Sequence, residues 1–247
     1  MAKVAIILGS GLYDLYAKES KEETIIQTKY GPATISSVGS IGGAEAFVLL
    51  RHGPNYFLPP HLINYRANIT ALKDFGINYT IATASVGAIN RELKIGSFVV
   101  VDQFIDQTKS RIGTFYGKPG EQFAFTDMTH PYSEEVRQAL IRGLVKNRVK
   151  AFARKGTYLC TEGPRFETPA EIKMFRKMGA DVVGMTGVPE VVLAREIHLS
   201  YGTICYVTNL AAGMQNKVSQ DEVTVQVERN LAKTKAVISS AIEELLR

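Results

Sequence analysis

The chain has 247 residues, 45% of them apolar, and a formal net charge of +5. That length supports one sizeable core and demands no second domain, so a single domain over residues 1–247 is expected. No apolar run nears the ~20 residues that cross a bilayer, nothing after Met1 reads as a secretion signal, and the basic residues are scattered. A soluble, cytoplasmic protein is expected, with neither membrane nor nucleic acid as partner.

In chain order, short continuous apolar runs alternate with amphipathic stretches. Residues 3–8 read as a buried strand entering the loop Gly9-Ser10-Gly11, and residues 46–50 as another ending in Arg51-His52-Gly53. Residues 64–75 have helical spacing, 79–83 and 98–101 read as strands, and 106–131 form a long loop carrying Phe115, Tyr116, Phe123 and Phe125. A helix is expected over 133–147, a strand over 157–160, and helices over 168–178 and 189–197 on either side of a strand at 181–184. A strand at 204–208 and a long helix over 221–246 complete the chain. The order implies an α/β fold with a central mixed sheet flanked by helices. Cys160 and Cys205 fall in the strands without Cys-x-x-Cys spacing and are read as buried free thiols.

Polar groups collect at the ends of these strands, where ligands of open α/β sheets sit. Gly9-Ser10-Gly11 offers backbone N–H groups and a hydroxyl to an anion, Arg51 a guanidinium fork and His52 an imidazole. Ala84-Ser85 adds a backbone N–H and a hydroxyl, and Thr186 another hydroxyl. Taken singly each has a plain structural reading: Gly-Ser-Gly as a routine turn, Arg51-His52 as a structural pair, Thr186 as a structural hydroxyl. The loop is not a dinucleotide fingerprint, since Asp14 occupies the third glycine position, and no Walker lysine follows. Their convergence favours phosphate. His52, His61, His130 and His198 lack metal-ligand spacing, so no metal is expected.

Together with Pro59-Pro60-His61, Asn64-Tyr65-Arg66-Ala67-Asn68, Glu162-Gly163-Pro164-Arg165-Phe166 and Met185-Thr186-Gly187-Val188-Pro189-Glu190, these residues resemble the trimeric purine nucleoside phosphorylase and methylthioadenosine phosphorylase family along essentially the whole chain. The resemblance implies a nucleoside-phosphorylase fold with a distorted sheet, a homotrimer (hexamers occur among relatives), and cleavage of a purine nucleoside by inorganic phosphate without a cofactor. It implies a phosphate site at Ser10, Arg51, His52, Ala84, Ser85 and Thr186, where a hydroxyl that some relatives carry at position 84 is absent and Ser85 could replace it. Met185 would pack on the ribose, Phe166 on the base, and Glu167 and Asn209 would contact the purine; Asn209, Glu167 and His52 would be the catalytic groups.

A carboxylate at Glu167 suits the N1–H of a 6-oxopurine, and the Asn209 amide can donate to O6. Relatives acting on methylthioadenosine resemble this chain but carry Asp-x-Asp where it reads Asn209-Leu210-Ala211, and serine in place of Glu167. Inosine and guanosine are therefore the expected substrates. The competing readings make Glu167 a helix-start carboxylate and Asn209 a turn residue. At the sugar's 5′ end Gln220 suits a hydroxyl and Val223 a methylthio group, so S-methyl-5′-thioinosine or S-methyl-5′-thioadenosine phosphorolysis is the alternative, and a nucleosidase using water a further one. Phe123 or Phe125 is expected to close this region from a neighbouring subunit.

Overall fold

The computed structural model describes residues 1–16, 19, 22–53, 58–117 and 119–247. Its frame is one sheet of eleven strands: β1 (Lys3–Leu8), β2 (Glu22–Thr28), β3 (Gly31–Ile41), β4 (Ala44–Leu50), β5 (Tyr79–Ala88), β6 (Phe98–Val100), β7 (Gln103–Gln107), β8 (Phe152–Ala153), β9 (Thr157–Thr161), β10 (Val182–Gly184) and β11 (Ser200–Leu210). The expected mixed sheet is present, with three additions. β2 and β3 form an antiparallel hairpin at one edge, β7 precedes the expected long loop and takes its first two residues, and β8 is two residues long.

Five helices cover the sheet: α1 (Tyr65–Asp74), α2 (Glu134–Lys146), α3 (Pro169–Lys177), α4 (Gly187–Glu196) and α5 (Gln220–Leu245). Their starts follow from capping chemistry. The side chains of Asn64, Ser133, Thr168 and Ser219 each accept a backbone N–H from the first turn of α1, α2, α3 and α5. In α4 Val188 is extended (φ −119°, ψ 133°), so the regular helix starts at Pro189. Ala67, Ile69 and Leu72 of α1 join Val191 and Leu193 of α4 in the apolar layer on one face of the sheet. Val136, Leu140 and Leu144 of α2 meet Val227, Ile238 and Ile242 of α5 on the other. Both faces being covered explains why the central strands are continuous apolar runs. Cys160 and Cys205 are free and buried in this core.

The strand order around β5 opens the site. One edge of β5 pairs with β1 from Tyr79 to Ala82, where β1 runs out, and that edge is taken up again only at Gly87 by antiparallel β10. The other edge stays paired with β11 throughout. Residues 83–86 thus border a fork between β1 and β10, in the middle of the sheet and flanked by strand ends.

Residues 108–131 contain no helix or strand among those described. Phe115 packs on Tyr30 with ring centroids 5.4 Å apart, while Thr114 Oγ1 and the Phe115 N–H donate to Glu196. Arg111 donates to the carbonyls of Val188 and Glu162, 2.7 Å in each case, and anchors the first part of the loop.

Candidate active site

A cavity of about 450 Å³ lies in the fork, a size suited to a small organic ligand. The ends of β1, β4, β5, β10 and β11 and the start of α5 contribute to its wall. Ser10, Arg51, His52, Ala84, Ser85, Phe166, Glu167, Met185, Thr186, Asn209, Gln220 and Val223 all line it. A second cavity of about 840 Å³ touches Asp102, His130, Glu134, Arg137 and Lys155. Its buried arginine is committed to the fold, with Arg137 donating to Glu134 and to the carbonyls of Val101 and Arg154.

At one end of the main cavity, Arg51 leaves β4 and is only 1% exposed. Its Nε and Nη2 each donate to a Glu190 carboxylate oxygen at 2.7 Å, and Nη1 donates to the Thr83 carbonyl at 2.8 Å. The expectation of a fork aimed at an anion is corrected here: the bidentate edge belongs to Glu190. Three of the five N–H donors of a guanidinium are used in these bonds, which leaves two for the cavity. Burial opposes the charge of Arg51, but attraction to Glu190 outweighs it and raises the pKa. Gly9 is needed beside this group, because a Cβ there would stand 2.8 Å from Nη1.

His52 is buried, and burial, reinforced by Arg51, pulls its pKa down to about 4 although the Leu58 carbonyl favours the charged form. Its Nδ1 lies 2.8 Å from that carbonyl, which can only accept. The ring is therefore neutral with the proton on Nδ1, and Nε2 is an acceptor. The imidazole expected beside phosphate is therefore present on the cavity in its neutral form.

The Ser85 hydroxyl donates to the Ser10 carbonyl at 3.1 Å, tying two walls of the fork together. The hydroxyl expected to stand in for the one missing at Ala84 thus has a partner within the fold. Residues two apart on a strand present their N–H and C=O groups to the same edge, so the Ser85 N–H faces the fork beside the Thr83 carbonyl that Arg51 holds. Thr186 precedes α4, yet its side chain makes no capping bond. The Tyr158 hydroxyl accepts from the N–H groups of Thr186 and Gly187 instead, and the Thr186 side chain lines the cavity.

At the other end, Glu167 is nearly buried and accepts from Thr161 Oγ1 at 2.9 Å. Burial raises its pKa, partly offset by hydrogen bonds from its own backbone and Thr161. The helix-start role belongs to Glu171, which forms a reciprocal capping box with Thr168. Asn209 follows a register shift in β11 between Val207 and Asn209, the kind of irregularity that re-aims a side chain. Its Nδ2 donates to the Leu210 carbonyl and its Oδ1 accepts from Thr208 Oγ1, 2.9 Å each, which leaves one amide hydrogen for a ligand. A Cβ on Gly87 would come within 3.1 Å of that Nδ2. Phe166, 37% exposed, and Met185 also line the cavity.

Three expected residues do not line this cavity, and two of them, Phe123 and Phe125, are expected to act from a neighbouring subunit. Ala211 is buried in the apolar cluster with Ile89, Leu159 and Ile172, and its neighbour Ala212 lines the cavity. Phe123 and Phe125 are 63% and 94% exposed and pack edge to face on each other, away from the lining residues. Sequence reasoning gave no role to Thr161, Tyr158 or Glu190, the first two because nothing local marks a hydroxyl that meets its partner across strands.

Residues 3–243 match the phosphorylase superfamily. The chain belongs to that family. It is 46% identical to the 6-oxopurine nucleoside phosphorylase of Pyrococcus furiosus over 98% of this chain and 92% of that protein. It is 41% identical to the S-methyl-5′-thioadenosine phosphorylase of Thermofilum pendens, with the same two coverages. The solved structure of the methylthioadenosine phosphorylase from Schistosoma mansoni in complex with adenine superposes with a TM-score of 0.92 at 32% identity, over 98% of this chain and 91% of that one. The fold of this phosphorylase-superfamily chain is thus shared with enzymes of more than one base preference.

Proposed function

We propose that this protein is a purine nucleoside phosphorylase that cleaves 6-oxopurine nucleosides, inosine and guanosine, with inorganic phosphate to give free base and ribose 1-phosphate. The observation that carries the reading is Glu167 and Asn209 on the same cavity as Arg51, the Gly9-Ser10 turn and Thr186. An anion end and an end for a hydrogen-bonding base flank a space for a sugar.

Phosphate held by the remaining Arg51 donors, the Ser85 N–H and the hydroxyls of Ser10 and Thr186 attacks the anomeric carbon. The new C–O bond forms as the bond to N9 breaks, and the bonding electron pair passes into the purine. Asn209 Nδ2 donates where that charge gathers, at N7 or O6, and Glu167 accepts from N1–H. The base then takes a proton. Such donors stabilise the transition state more than the ground state. Adenine has a lone pair at N1 and would face the Glu167 carboxylate unfavourably, a mismatch of the kind that can cost about four orders of magnitude.

Gln220 and Val223 share the wall assigned to the 5′ end, so S-methyl-5′-thioinosine is a second substrate of the same base class. Release of base from inosine, guanosine, 5′-methylthioinosine and 5′-methylthioadenosine, with and without phosphate, tests the reading. Phosphate-dependent cleavage confined to the 6-oxo substrates is expected. Preference for methylthioadenosine would overturn the base assignment, and indifference to phosphate would point to water as the nucleophile.

A further inference from the structure

Glu190 is fully buried and is not among the residues lining the cavity, yet it holds the cavity's cation. Arg51 is the one lysine or arginine among those lining residues. Both oxygens of Glu190 accept from it, and the Tyr201 hydroxyl donates to Glu190 Oε1 at 2.7 Å. Thr203 Oγ1 donates in turn to the Tyr201 hydroxyl at 3.2 Å. This chain of bonds runs from β11 through α4 to Arg51 at the end of β4, and of its members only Arg51 lines the cavity.

We propose that Glu190 tunes the affinity of the site for the phosphate group by offsetting the charge of Arg51 from behind. It is a positioning residue that acts through Arg51, and the inference rests on the phosphorolysis reading above. An unopposed guanidinium would attract a dianion strongly in a buried site. The attacking phosphate and the sugar phosphate that forms carry the same group, so strength added equally to both lowers the concentration of phosphate required without speeding the reaction. It also slows departure of the product. With Glu190 at its back, Arg51 presents directed N–H donors with little net charge, and the anion is held mainly by dipoles and hydroxyls.

The alternative is that Glu190 only orients Arg51, and the two predict opposite signs. Binding of inorganic phosphate is measured calorimetrically on wild-type protein and Glu190→Gln without nucleoside, with kcat and inhibition by ribose 1-phosphate measured in parallel. The expected result is a phosphate Kd lowered about tenfold in Glu190→Gln, with tighter inhibition by ribose 1-phosphate and a lower kcat. An unchanged or raised Kd in the folded variant overturns the proposal. If Glu190→Gln does not fold, Tyr201→Phe decides. Loss of the hydroxyl that shares Oε1 leaves more of the carboxylate's charge on Arg51, and the phosphate Kd rises about twofold with the nucleoside KM unchanged. No change, or equal changes in both constants, overturns it. A wild-type enzyme that binds no phosphate brings down the phosphorolysis reading as well, whereas normal phosphate dependence without the shift in Glu190→Gln brings down this inference alone.

Discussion

The two ends of the cavity are built on different plans. At the end proposed for phosphate, two of the polar side chains and the first backbone N–H groups of α4 are committed to distant parts of the chain: Arg51 to Glu190 and Thr83, Ser85 to Ser10, and the N–H groups to Tyr158. At the base end Glu167 and Asn209 have close neighbours in sequence as partners, Thr161, Thr208 and Leu210. The first end is part of the core and cannot be altered without disturbing it. The second is carried on the segment before α3 and on a bulge in β11, with partners close by in sequence.

The largest test of the contrast is Arg51→Ala, which strands a fully buried Glu190. It should lose about 3–5 kcal/mol of stability in denaturant melts and raise the phosphate KM by about two orders of magnitude. A stable variant with a normal phosphate requirement would mean that the two ends are not built differently.

The acid response of His52 comes next. Its pKa is about 4 in the fold, below the usual 6.5, because burial disfavours the imidazolium. The unfolded chain therefore takes up a proton below pH 6.5 that the native state refuses until about pH 4. Stability should fall through that window by about 3 kcal/mol, and His52→Gln should remove that share of the slope. An identical acid slope in the variant would show that His52 is not held neutral.

At the base end the effects should be kinetic. Asn209→Ala is expected to lower kcat about a hundredfold while the phosphate KM and the melting curve stay near wild type. A parallel loss of stability would erase the distinction drawn here. Glu167→Gln should lower kcat/KM for inosine about tenfold. Because burial raises the Glu167 pKa, the acid limb of the wild-type kcat/KM profile should lie above the ordinary carboxylate range and be absent in the variant. The smallest effect is expected from Phe125→Ala. A trimer by sedimentation with a nucleoside KM raised about threefold would support closure of the site by a neighbouring subunit, and a monomer with unchanged KM would oppose it.

Much of this was legible in the sequence, for local reasons. Continuous apolar runs mark strands covered on both faces, and amphipathic spacing placed helices over 64–75, 133–147 and 168–178, each of which begins with its capping residue. The β2–β3 hairpin escaped because its segment, rich in Ser, Thr and Gly, has no continuous apolar run, and β2 lies at an exposed edge. At the site, residue types at strand ends identified which groups meet but not how they are oriented. Arg51 read as a free fork because its partner lies 139 positions away. Ala211 was misplaced by one residue because the turn after β11 directs Ala212, not Ala211, toward the cavity.

The fork beside β5 also bears on the motion of solvent. A central strand is ordinarily the slowest part of a sheet to exchange its amide hydrogens, since neighbours lock both edges. Here the middle of the innermost strand borders a cavity, and the Ser85 amide on that border should exchange in the empty protein faster than amides three or four residues away on the same strand. Phosphate, by accepting from it, would close the gap left between β1 and β10. The ligand would then act as the missing strand, completing a ladder that the polypeptide leaves open.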